Sequence, residues 1–182
     1  MTKQNNYHYL LTNLFSFKLF IVVFSLILFS VSCGNDDKTG SGGGGNRVSL
    51  PDADYSGTLT RSNLIENPEG SGMGDGVFPN PADNVNIFIL NGGIGGGIQG
   101  KGMAEAGKQL QIYQDGSGYY ASGEYSTAES GMTTTVKTSI KFTISGDKMN
   151  ISQYEQELIY NMGTGQNLSA KATYSGTLTK QP

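Results

Sequence analysis

The hexapeptide Tyr55-Ser56-Gly57-Thr58-Leu59-Thr60 recurs as Tyr174-Ser175-Gly176-Thr177-Leu178-Thr179. Alternate residues of an extended chain share a face. Each copy therefore puts Tyr, Gly and Leu on one face and Ser and Thr on the other. Two β-forming segments with the same apolar face, one near the head of the folded part and one at its end, are predicted to pair as the first and last strands of a meander. Joining them removes two unpaired sheet edges, and the inward glycine permits the sharp bend of a small barrel. Duplication of a whole domain would repeat other segments at matching spacing, and none does.

Working outward, the apolar pattern keeps period two. Val136, Thr138, Ile140, Phe142 and Ile144 alternate with Thr135, Lys137, Ser139, Lys141 and Thr143, as a half-buried antiparallel strand requires. Further strands are predicted over Asn84–Leu90, Lys108–Gln114, Gly118–Thr127, Met149–Tyr160 and Leu168–Thr179. They are separated by the turn signals DGSG (115–118), ESG (129–131), SGDK (145–148) and GTGQN (163–167). The one helical candidate, MAEAGKQL (103–110), is weakened by Gly107. The fold class is all-β: a single antiparallel meander closing into a barrel of roughly eight strands, one supplied by the stretch near Ile94 and Ile98.

The chain ahead of this domain carries an address. Leu19 to Phe29, LFIVVFSLILF, is an apolar run of signal-peptide length, short for a membrane-spanning helix. Residues 1–32 are accordingly read as an export signal. Ser30-Val31-Ser32-Cys33 resembles a bacterial lipobox, with Ser30 where that pattern usually has leucine. The resemblance implies lipidation of Cys33, the only cysteine of the chain, and cleavage just before it. A secretory signal with a chance cysteine, or a single anchoring helix, is the plainer alternative. Gly34-Asn35-Asp36-Asp37 is similar to the acidic sorting signal of surface lipoproteins of the Bacteroidota. The implied location is the outer membrane, lipid-anchored, at the cell surface or on the periplasmic face. KTGSGGGGNR (38–47) has no core-forming side chain, so 33–47 is read as a lipidated cysteine and flexible tether, and 48–182 as the folded domain. Of 12 basic and 15 acidic residues the signal removes only Lys3 and Lys18, leaving a net charge of −5 and no basic patch for nucleic acid.

Three segments together resemble the small lipocalin-like, or calycin-like, domains of exported Bacteroidota lipoproteins: the opening YSGTLT, the hairpin Phe142 to Ile151 (FTISGDKMNI), and the closing Ala172 to Leu178 (ATYSGTL). The Pro- and Gly-rich connection Glu66 to Asp83 falls where a lipocalin barrel has a long first loop over its open mouth. The resemblance implies a cavity for a small hydrophobic or amphipathic ligand, lined by Tyr55, Leu59, Ile87, Ile112, Tyr120, Ile140, Phe142 and Tyr174.

Other chemistry is thinly represented. DADYSG (52–57) fits the first half of an EF-hand loop, but the twelfth position is Asn63 and the second hexapeptide copy lacks both aspartates. GGGIQG (95–100) satisfies GxGxxG without the crossover helix a dinucleotide site needs. The single histidine, His8, lies in the signal, so the mature domain holds no histidine base and, with Cys33 lipidated, no free thiol nucleophile. Glu155 and Glu157, two apart on one strand face, are the best carboxylate pair; a wet strand face explains them equally. Tyr119, Tyr120, Tyr125, Tyr154 and Tyr160 lie on predicted strands, as a ligand mouth, a sugar-stacking face, or plain strand propensity. No enzyme activity, metal or cofactor is expected. Two functions remain: a lipoprotein whose barrel binds a small ligand, or a surface structural, adhesion or accessory protein with a solid core.

Overall fold

Long runs of alternating apolar and Thr/Ser-rich positions become long curved strands in the computed structural model, which describes residues 45–98, 101–129, 131–163 and 167–182. Cys33, the export signal, the acidic segment and tether residues 38–44 lie outside the described residues. Ten strands form: β1 (Ala53–Asn67), β2 (Ala82–Leu90), β3 (Gly93–Ile98), β4 (Lys101–Gly102), β5 (Leu110–Gln111), β6 (Tyr113–Asp115), β7 (Gly118–Glu129), β8 (Met132–Ser145), β9 (Lys148–Asn161) and β10 (Asn167–Lys180). They make one antiparallel sheet in the order β4-β3-β2-β1-β10-β9-β8-β7-β6, with β5 also on β3. The segment 103–110 forms no helix. Among the described residues the helix is the single turn α1 (Met73–Val77), inside the long β1–β2 connection.

The two hexapeptides do pair: Ser56 faces Thr179 and Thr60 faces Ser175 in the β1–β10 ladder. Closure at that pair is corrected, however, because β1 and β10 lie in the middle of the sheet and its ladder does not close into a barrel. The interruption falls between β3 and β7. The predicted strand over 108–114 splits there, with Leu110 and Gln111 on β3 and Tyr113 to Asp115 on β7. Its physical cause is register: Gly93, the first residue of β3, faces Gln111, so the chain beyond Gln111 runs past the end of β3 and meets an N-terminal arm instead. The Val48 N–H donates to Ile112 O at 3.0 Å, the Gln114 N–H donates to Asn46 O at 2.9 Å, and Arg47 pairs with Tyr113. The arm lies along Ile112 to Gln114, so Gly45 to Arg47, at the end of the tether, already belong to the folded body.

Bulges let such long strands curl. Ser152 is the extra residue of β9 against both β8 and β10, and Ser62 that of β1 against β10. Each bulged serine donates its hydroxyl across the ladder, Ser152 to Lys141 O at 3.3 Å and Ser62 to Thr173 O at 3.2 Å. Between β2 and β3 the two-residue turn Asn91-Gly92 has positive φ at both positions, 52° and 77°, matching the twist of the hairpin it joins. The concave face buries one continuous apolar cluster that includes Tyr55, Leu59, Ile87, Ile140, Tyr154 and Tyr174.

Candidate functional site

The lipocalin-like expectation places function inside the sheet. Two loops close over that interior. The β1–β2 connection turns through α1 and drives Phe78 inward, and the loop after β4 drives in Met103; both side chains are at most 1 % exposed. Each loop is tied to the wall by polar side chains reaching its backbone carbonyls. Over the first loop, Tyr174 Oη donates to Pro79 O at 3.0 Å, Arg61 donates to Phe78 O, and the Arg61 guanidinium pairs with Asp75 at 2.8 Å. Glu66 accepts from the Gly72 and Gly74 N–H groups of the same loop. Over the second, Gln156 Nε2 donates to Gly102 O at 3.2 Å and Tyr125 Oη to the same oxygen at 3.5 Å.

Between these fastenings lies a polar strip. Tyr154 stacks edge-on to Tyr174 at 6.4 Å, and Gln156, two residues along the same face, reaches Thr138 Oγ1 at 3.4 Å. Tyr154 Oη and Gln156 Oε1 are buried and have no hydrogen-bond partner. Burial disfavours the phenolate and pushes Tyr154 far above its ordinary value of 10.0, with Tyr125 and Tyr174 adding to the effect. The same desolvation, opposed by the Arg61 cation, pushes Tyr174 up to about 12.

Of the eight residues expected to line a cavity, Tyr55, Leu59, Ile87, Ile112, Ile140, Phe142 and Tyr174 come together in the core, none more than 3 % exposed. Leu59, Ile87, Ile112, Ile140 and Tyr174 have no surface that water reaches, so no water-sized void touches them. Tyr120 stands apart on the outer face, its ring under the Lys141 ammonium at 5.9 Å. Thr138 and Gln156 carry no signal in composition; only their inward phase in the period-two pattern marks them.

The remaining motifs resolve into scaffold. Glu155 pairs with Lys171 at 2.8 Å and Glu157 approaches Lys137 at 3.9 Å, so the carboxylates face lysines on flanking strands. Asp52 accepts from the Asn91 N–H at 2.8 Å and braces the β2–β3 turn. Among the described residues, no group of three or more metal-ligating side chains is brought together. GGGIQG contributes its first residues to β3, an antiparallel partner of β2.

The outer face carries an open groove of about 520 Å³ at the Ser152 bulge. Asp115, Lys141, Thr143, Asn150, Ser175 and Thr177 line it. Lys141 is held beside Asp115 at 3.3 Å, and Thr177 Oγ1 donates to Asn150 Oδ1 at 2.9 Å. Comparison with known proteins adds no relative: no protein-family model, no curated protein and no solved structure matches this chain. What the fold defines is a class, the all-β domain of one curled antiparallel sheet around a buried apolar cluster.

Proposed function

We propose that this chain is an exported lipoprotein, anchored through Cys33, whose β-domain has a solid interior and acts through its outer surface as a structural, adhesion or accessory protein. The observation that carries this is the pair of plugs: Phe78 and Met103 enter the core from the two loops where a ligand-binding barrel keeps its mouth. A barrel-like, lipocalin-like form remains part of the proposal. It is supported by a strand order that follows the chain around the sheet and is interrupted only where Leu110 to Asp115 reaches from β3 to β7.

A small hydrophobic or amphipathic ligand in the interior is the second reading. The unpartnered Tyr154 Oη and Gln156 Oε1 favour it, since one ligand hydroxyl supplies both the acceptor and the donor they lack. Solvent extraction of the purified full chain followed by mass spectrometry separates the two. A solid domain yields no small molecule at stoichiometric amount, and a stoichiometric ligand overturns the proposal. Anchoring is read separately, by labelling cells with a fatty-acid analogue. Label is expected on the parent chain and absent from Cys33→Ser; equal label on both excludes Cys33 as the acylation site.

A further inference from the structure

We propose that the outer groove at the β9 bulge binds a neutral saccharide chain; this rests on the reading that the domain works through its exterior. The groove crosses the sheet rather than entering it. Lys141 and Thr143 come from β8, Asn150 and Ser152 from β9, Ser175 and Thr177 from β10, and Asp115 from the end of β6. Its side chains offer donors and acceptors in alternation. Asn150 spends its carbonyl oxygen on Thr177 and keeps its amide donors, while Thr143, Ser152, Ser175 and Thr177 each present a hydroxyl able to accept.

A ligand matching this surface carries hydroxyls at close spacing, each able to donate and accept. Charge narrows the class. The only ionised side chains of the groove are Lys141 and Asp115, which neutralise each other at 3.3 Å, so neither a polyanion nor a cation gains by entering. The Lys141 ammonium at the groove lies over the outer-face ring of Tyr120, 5.9 Å from its centroid, which places one aromatic ring beside the groove. Gly118 keeps the floor low. A β-carbon at Gly118 would stand 2.8 Å from Phe142 O, so a side chain there would disturb the ladder beneath.

The test is calorimetric titration of the full chain with three probes: hexamers of β-1,4-linked and of α-1,4-linked glucose, and a sulfated hexasaccharide. At least one neutral hexamer is expected to bind, and more tightly than the sulfated probe. Asn150→Ala should weaken that binding about three- to tenfold, the loss of one or two hydrogen bonds. Thr143→Trp, at an exposed position that tolerates bulk, should abolish it by filling the groove. Unchanged melting of Thr143→Trp keeps the test valid even if Asn150→Ala unfolds. No binding of either neutral hexamer, tighter binding of the sulfated probe, or binding that survives Thr143→Trp overturns the groove as a saccharide site. Those results leave the solid-interior reading standing, which instead falls on recovery of an interior ligand.

Discussion

Gly57 and Leu178 interlock across the β1–β10 ladder, and Gly176 and Leu59 do so in the reciprocal sense. A β-carbon at position 57 would lie 3.2 Å from Leu178 Cδ2, and one at 176 would lie 3.0 Å from Leu59 Cδ2. The repeated hexapeptide is thus a self-complementary pair, each copy supplying the notch for the other copy's leucine. Gly57→Ala and Gly176→Ala are each expected to cost about 1–3 kcal/mol through overpacking. Adding Leu178→Ala to Gly57→Ala should cost less than the sum of the two single changes, as urea denaturation in a double-mutant cycle would show. Strict additivity would separate the two residues energetically.

Tyr154 and Tyr174 are neighbours with opposite accounts. Tyr154→Phe removes a buried hydroxyl that has no partner, and is expected to leave stability at pH 7 within about 0.5 kcal/mol of the parent or to raise it. Tyr174→Phe strips Pro79 O of its donor and should cost about 1–3 kcal/mol. Chemical denaturation of both variants decides the order.

Alkaline pH tests the same pair. Both phenols titrate higher folded than unfolded, so above pH 10 the unfolded chain releases protons that the folded chain retains. Stability from these groups is complete below pH 10 and falls as pH rises toward 12, by about 1.4 kcal/mol per pH unit for each tyrosine. Tyr154→Phe should flatten that fall by one tyrosine's share. An unchanged slope between pH 10 and 12 would mean that Tyr154 is not desolvated.

The plugs carry a large share of the packing. Phe78→Ala is expected to cost about 3–5 kcal/mol and Met103→Ala about 2–5 kcal/mol, because the latched loops cannot collapse fully into the space left. Equilibrium unfolding in urea gives both values. A cost below about 1 kcal/mol at either position would mark a loop that merely rests on the surface.

The N-terminal arm predicts a local effect. Val48→Pro removes the N–H that donates to Ile112 O. Hydrogen exchange at Gln114, whose own bond runs to Asn46 O, should then quicken by about tenfold or more, while Ile140 and Tyr154 amides in the central strands keep their protection. Equal protection of Gln114 in the two proteins would show that the arm does not hold the edge.

Much of the fold was legible because strand formation is written in local pattern. Alternation in Val136 to Ile144 and the turn signals at 115–118 and 145–148 identify β7, β8 and β9 to within a few residues, since a side chain's face follows from its parity alone. The Asn91-Gly92 turn, missed among those signals, is the dipeptide that favours a tight hairpin. The candidate sites were less legible. The aromatic and aliphatic residues expected to line a cavity are the same types that fill a core, and parity brings all of them but Tyr120 inward in either case. A groove made of Ser, Thr, Asn and one Lys–Asp pair has no compositional mark on a sheet whose whole exterior is Thr- and Ser-rich.

By itself, then, the sequence determined the strand class, the inward and outward faces, and the partnership of the two YSGTLT copies. All three depend on residues near one another in the chain or on identical segments meeting. Tertiary structure alone decided that the sheet is interrupted between β3 and β7, that Asn46 to Val48 pairs with Ile112 to Gln114 there, and that Phe78 and Met103 are buried in the core. These outcomes turn on competition for one row of backbone hydrogen bonds and one volume of core. Such contests are settled between segments more than 50 residues apart, after the chain has curled.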